Sequence, residues 1–114
     1  MRATSNRHSI DIPAIVDTGT QFTIVSAEYA LGLDIDIHSG NRKIFSPTRG
    51  GALIAWGHNL EVTLFGERFE CEMFFSEERL TRSLLGRDIL AETQLGLREH
   101  HGQLFLFEDS YRAI

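Results

Sequence analysis

Ala14-Ile15-Val16-Asp17-Thr18-Gly19-Thr20 carries a carboxylate from an apolar run straight into a glycine turn. Upstream of it, Ile10, Ile12, Ala14 and Val16 alternate with Asp11, Pro13, Ile15 and Asp17, the period of a half-buried strand. An ionisable group placed beside such a run is costly unless it is hydrogen-bonded or takes up a proton. Gly19 opens backbone shapes closed to other residues, so the amides of the turn can point at the carboxylate. Thr18 and Thr20 add hydroxyls able to donate to a carboxylate or to brace the turn. Asp17 is therefore the first candidate for chemistry.

A second segment stands 69 residues beyond it. Ser83-Leu84-Leu85-Gly86-Arg87-Asp88-Ile89-Leu90 has two apolar residues, a glycine and then a polar helix start. The spacing predicts a short helix from Arg87 to Gln94 and a last strand from Gln103 to Phe107. Between the two motifs the period is mostly two. Phe22 to Val25 reads as a short strand, and Ser26 as the N-cap of a helix from Ala27 to Leu31 that stops at Gly32. Leu60 to Leu64 and Phe69 to Phe75 alternate about a Gly66-Glu67 turn, which predicts a hairpin. Cys71 falls on the apolar face of that hairpin and reads as a core residue, not a nucleophile. Phe74-Phe75 reads as hairpin core first and pocket wall second. A second hairpin joins Lys43-Ile44-Phe45 to Ala52 through Trp56 across Pro47-Thr48-Arg49-Gly50-Gly51, with a mobile tip expected.

Composition narrows the class. The 114 residues suit one domain, 1–114, with 42% hydrophobic residues available for a core. Eleven Lys and Arg against sixteen Asp and Glu, net charge −5, leave no footprint for nucleic acid. No apolar run approaches the ~20 residues of a bilayer span, and the polar start Met1 to His8 lacks a signal core. One cysteine excludes an internal disulfide. His8, His38, His58, His100 and His101 have no zinc-module spacing and read as surface or turn residues, so no metal is expected. Glu77-Glu78-Arg79 reads as a solvated turn, and Trp56 as packing or interface. Neither length nor composition sets a localisation, which stays open between the cytoplasm and a longer membrane-anchored protein.

The paired segments resemble the retropepsin-like aspartic proteases, the single-domain class that includes the retroviral enzymes. Ile15-Val16-Asp17-Thr18-Gly19-Thr20, the flap glycines Gly50-Gly51 and Leu84-Leu85-Gly86-Arg87-Asp88 match that family's pattern in type, order and spacing. The resemblance covers roughly residues 10 to 98. It implies an all-β fold, a small closed β-barrel-like acid-protease domain with a flap hairpin and one or two short helices. It also implies a homodimeric aspartic endopeptidase with no cofactor, acting on an extended peptide or protein. By that resemblance Asp17, Thr18 and Gly19 are catalytic, while Thr20, Gln21, Gly50, Gly51, Ala52, Leu85 and Gly86 bind substrate. Arg87 and Asp88 support the site.

Aspartic proteases in general use two carboxylates about 3 Å apart that share one proton. One such motif per chain makes a second copy necessary, related by a two-fold axis. Two departures from the family pattern matter. Thr20 stands where retroviral enzymes usually have Ala, and its hydroxyl is expected to bond the ionised dyad and move the working range toward acid. Gln21 stands where many have an Asp that pairs with the Arg of the second motif, so Arg87 needs another acceptor, Asp88 or a carboxylate of the partner chain. With only sixteen residues ahead of Asp17, the family's first strand is short, missing or cut off. Dimer contacts are expected to rest more on the C-terminal strand, within Leu97 to Phe107.

Two rival functions remain. A dimeric peptide-binding or scaffold domain would keep the fold and lack the chemistry. A phosphate-loop fragment of the actin and sugar-kinase type is suggested by Val16-Asp17-Thr18-Gly19-Thr20-Gln21-Phe22-Thr23, but that fold needs two α/β lobes.

Overall fold

The computed structural model describes residues 1–46 and 52–92, together with the backbone of two strands, Gln94–Arg98 and Gln103–Phe107. Its long element is the hairpin of β6 (Leu53–Leu64) and β7 (Glu67–Ser76). Alternation sends Leu60, Val62, Met73 and Phe75 into the core, with Cys71 packed against them. Leu64 pairs with Glu67, so the two-residue loop is Phe65-Gly66, one position earlier than the sequence reading placed it. Both loop residues have positive φ, 51° and 80°. That is the backbone demanded by a hairpin turn whose twist matches its strands.

Two more strands extend the hairpin's other edge. β1 (Arg2–Ser5) pairs with β6, and β2 (His8–Asp11) pairs with β1. The expected continuous strand to Val16 breaks at Pro13, which has no N–H for a ladder. Beyond the break the chain changes partner. β3 (Ala14–Val16) runs parallel to β8 (Ser83–Leu85), and β4 (Ile24–Val25) lies between β8 and β7. β5 (Asn41–Phe45) pairs with the first half of β6. The result is one eight-stranded sheet, β2-β1-β6-β7-β4-β8-β3 with β5 beside β6, curled into a half-barrel. β9 (Gln94–Arg98) and β10 (Gln103–Phe107) form a separate antiparallel ribbon. The expected last strand is thus present.

Both helices are single turns, and shorter than expected. α1 covers Tyr29–Gly32 and α2 covers Arg87–Leu90, with Gln94 already in β9. Ser26 does not cap α1. It is buried, its N–H donates to Ser83 Oγ, and its Oγ accepts from Leu80 N–H. The hydroxyl ties β4 to the segment entering β8 because those buried amides need partners more than an exposed helix end does. Glu77, Glu78 and Arg79 are exposed as expected, with Arg79 paired to Glu28 and Glu77 to His38. No helix among the described residues is long and apolar enough to cross a membrane.

The two faces of the β6–β7 hairpin serve different cores. One face joins the main cluster with Ile12, Leu33, Leu85 and Ile89. The other carries Ala55 and Phe74, which with Ile24 gather Phe22, Phe45, Leu53 and Leu80 into a second, smaller cluster. Phe22, Phe45 and Phe74 meet edge to face at 5.3–5.7 Å. This smaller cluster is the floor beneath Asp17.

Candidate active site

Asp17 follows β3 directly, and its N–H donates to the carbonyl of Leu85 at 3.0 Å, continuing the parallel pairing with β8. Gly19 N–H donates to Asp17 Oδ1 at 2.9 Å. The turn closes with Thr20 N–H donating to the Asp17 carbonyl at 3.3 Å. An added Cβ on Gly19 would lie 3.1 Å from Asp17 Oδ1, so a bare backbone lets the carboxylate sit against its own turn.

The second motif locks this loop from behind. Arg87 N–H donates to the Thr20 carbonyl and Asp88 N–H to the Gln21 carbonyl, at 2.9 and 3.0 Å. Gly86 N–H donates to Thr23 Oγ1 at 2.9 Å, and that hydroxyl in turn donates to Asp88 Oδ1 at 2.8 Å. Thr23 N–H completes the grip on Asp88 Oδ2 at 3.1 Å. Gly86 is required by close approach: a Cβ there would meet the Phe22 carbonyl oxygen at 2.5 Å. The carbonyls of Thr20 and Gln21 and both the N–H and hydroxyl of Thr23 therefore find partners supplied by the other motif.

Asp17 opens into a groove of about 540 Å³. Gly19, Thr20 and Gln21 form one side, Phe22, Phe45 and Leu53 the floor and far wall, and Arg87 stands at its rim. Among the described residues neither Arg87 nor Lys43 has a carboxylate within ion-pair distance. Lys43 Nζ lies 3.7 Å from the ring centroid of Phe22 and within 6 Å of those of Phe45 and Phe74. A smaller hollow of about 240 Å³ near Pro13 and Tyr29 holds neither Asp17 nor the glycine turn.

No family model matches the sequence, and no curated protein matches it. Solved structures do. A retropepsin-like aspartic protease from Rickettsia conorii superposes with a TM-score of 0.68 at 22% identity, covering 93% of this chain and 79% of that one. The retroviral protease-like domain of Ddi1 from Leishmania major gives 0.57 at 21% identity, over 96% and 86%. EIAV protease complexed with the inhibitor HBY-793 gives 0.53 at 17% identity, over 80% and 83%. The chain has the retropepsin-like fold.

Within this retropepsin-like fold the sequence-predicted residues divide. Asp17, Gly19, Thr20, Gln21 and Arg87 meet at the groove, and Thr18 is exposed on the same turn. Gly50 and Gly51, with the expected mobile tip, lie outside the described residues, while Ala52 is exposed at the foot of that hairpin. Leu85 does not line the groove: it is 3% exposed and packs in the main core, and Leu84 takes the groove position instead. Strand alternation forces this split, because successive residues of β8 point to opposite faces of the sheet. Gly86 is likewise buried, a packing residue behind the loop. Asp88 is not the acceptor for Arg87; both its oxygens are taken by Thr23. Thr20 Oγ1 donates to the Phe22 carbonyl at 3.3 Å, so its one proton is turned away from Asp17.

The groove floor is new relative to the sequence reading. Phe22, Phe45 and Leu53 were separable from ordinary core only by which face of β5 and β6 they occupy. Cys71 is no nucleophile: burial first, then the carboxylates of Asp88 and Glu92, push its thiol from 9.0 to about 12. His58 is half-buried against Phe75 and not a surface residue, its Nε2 2.9 Å from the Ile37 carbonyl. His38 pairs with Glu77, His8 is exposed, and His100 and His101 lie outside the described residues.

Proposed function

We propose that this chain is one half of an aspartic endopeptidase that hydrolyses peptide bonds as a homodimer. The observation that carries the reading is Asp17 on a glycine turn, held from behind by β8 and facing an open groove with an apolar floor. Two such carboxylates brought face to face share one proton. The ionised one takes a proton from water, whose oxygen attacks the scissile carbonyl carbon, while the other donates its proton to the carbonyl oxygen. The pair titrates as a unit, so neither copy has a value of its own.

The edge beside Asp17 supports a docking surface for the second copy. β3 ends the sheet path, and its Ile15 and Val16 are 43% and 37% exposed immediately before the aspartate. Apolar side chains left in water next to half a site gain by covering one another. Thr18, exposed on the turn, offers a hydroxyl across the same interface, and the C-terminal ribbon offers a further strand. The substrate lies as an added strand between the turn and the β5–β6 hairpin, with alternate side chains in pockets.

Asp17→Asn tests this. The amide keeps an acceptor for Gly19 N–H, so the fold persists while cleavage of an unstructured protein between pH 3 and 7 falls by at least ~10³-fold. Cleavage retained by the variant would end the mechanism. A second reading, a peptide-binding domain without hydrolysis, draws on Gln21, which leaves Arg87 without the carboxylate brace at the site's rim. Binding of an extended peptide by a wild type that cleaves nothing across that pH range would establish it.

A further inference from the structure

The groove has a charge opposite to that of the chain around it. The protein as a whole carries −5, yet among the described residues the titratable side chains that line the groove are Asp17 and Arg87, with Lys43 added against the floor rings. Neither cation is consumed by a neighbouring carboxylate among the described residues, and the Asp88 carboxylate is turned to Thr23. Lys43 is held in place by three phenylalanine rings, an arrangement that attracts an ammonium without neutralising it. Two of those rings, Phe22 and Phe45, line the groove, so the charge sits well within the ~8–10 Å over which it acts at physiological ionic strength.

From this juxtaposition we infer that the groove selects extended peptides carrying an acidic side chain beside apolar ones. The inference rests on the protease reading for the path of the peptide and adds to it the class of substrate. The apolar floor accepts the neighbouring side chains, while the substrate carboxylate lies toward Lys43 and Arg87. Charge complementarity of this kind sets specificity and encounter more than total affinity. Gln21 contributes by being neutral, since a carboxylate there would stand beside Arg87 and repel an acidic substrate. In a two-fold dimer each half contributes the same two cations, so acidic residues are favoured on both sides of the scissile bond.

The test reads binding apart from cleavage. A set of apolar octapeptides in which a single Glu is walked along the chain, each paired with its Gln twin, is titrated against the Asp17→Asn protein by fluorescence anisotropy. Glu peptides are expected to bind about fivefold tighter than their twins at one or more positions, with the preference shrinking as salt is raised. Lys43→Met, which keeps an apolar stem against the rings, combined with Arg87→Gln removes the preference. Lys43→Arg retains it, and circular dichroism checks that each variant is folded. Equal or weaker binding of every Glu peptide, no binding of either twin, or a preference that survives in the folded double variant overturns the inference. Wild-type cleavage is scored separately. Cleavage without charge preference defeats this inference alone, and charge-selective binding by a protein that never cleaves defeats the protease reading alone.

Discussion

Asp88 grips Thr23 with both carboxylate oxygens, one on the hydroxyl at 2.8 Å and one on the backbone N–H at 3.1 Å, across 65 residues of sequence. Thr23 also accepts from Gly86 N–H, and its carbonyl accepts from Phe74 N–H at 3.1 Å. One fully buried threonine thus joins the loop after the Asp17 turn to β7, to Gly86 at the end of β8 and to α2. The position of Asp17 depends on this knot, although no atom of the knot faces the groove.

Asp88→Ala removes an ionised acceptor from a buried hydroxyl and a buried amide. Hydrogen bonds to charged groups contribute ~1.5–3 kcal/mol each, so a loss of about 3 kcal/mol is expected in urea unfolding. Asp88→Asn keeps one acceptor oxygen and should lose roughly half as much. An unchanged midpoint for Asp88→Ala would show that Thr23 finds other partners.

Gly86→Ala places a methyl group 2.5 Å from the Phe22 carbonyl oxygen and 2.6 Å from its carbon, both backbone atoms. Backbone cannot rotate away as a side chain can, so the cost is at the upper end of the ~1–3 kcal/mol of overpacking. A lowered melting temperature is the readout, together with weaker protection of the backbone amides at positions 86 and 88 in hydrogen exchange.

The Cys71 thiol, raised from 9.0 to about 12 by burial and nearby carboxylates, stays protonated in the folded protein at neutral pH. An aromatic disulfide reagent at pH 8 should therefore react slowly with native protein and rapidly in urea. The sign of the stability effect follows from linkage. Between pH 9 and 12 the unfolded thiol has lost its proton and the folded one has not, so stability is full below about 9 and declines as pH rises toward 12. The decline attributable to this residue is the difference between wild type and Cys71→Ala over that window.

If the active unit is a pair of chains, the rate rises with the square of protein concentration well below the dimer dissociation constant and linearly above it. Asp17→Asn in tenfold excess then poisons the wild type, leaving about a tenth of its activity when chains exchange at random. A rate proportional to concentration throughout, from a protein that sediments as a monomer, would exclude the shared site.

Period-two patterns were enough to locate the β6–β7 hairpin, because each alternate residue has an unambiguous apolar or polar preference that local geometry must satisfy. Asp17-Thr18-Gly19 and Gly86-Arg87 were legible for a related reason: a carboxylate entering a glycine turn and a glycine under close backbone approach are local demands. Other assignments depended on partners far along the chain. Ser26 reads locally as a helix cap, but its Oγ accepts from Leu80 N–H and its own N–H donates to Ser83 Oγ in β8. Asp88 reads as a mate for Arg87 but is taken by Thr23. Leu84 and Leu85 are chemically identical, and only the parallel register with β3 sends the first to the groove and the second to the core.

Sequence alone determined the all-β architecture, the candidate carboxylate Asp17 and the two motifs that frame it, since these follow from local periodicity and from the few residues able to occupy a tight turn. Tertiary structure decided which leucine lines the groove, where the threonine hydroxyls point and which cations at the groove lack a carboxylate partner among the described residues. Those outcomes are competitions for hydrogen-bond and charge partners, and the competitors come together only when strands distant in the chain lie side by side.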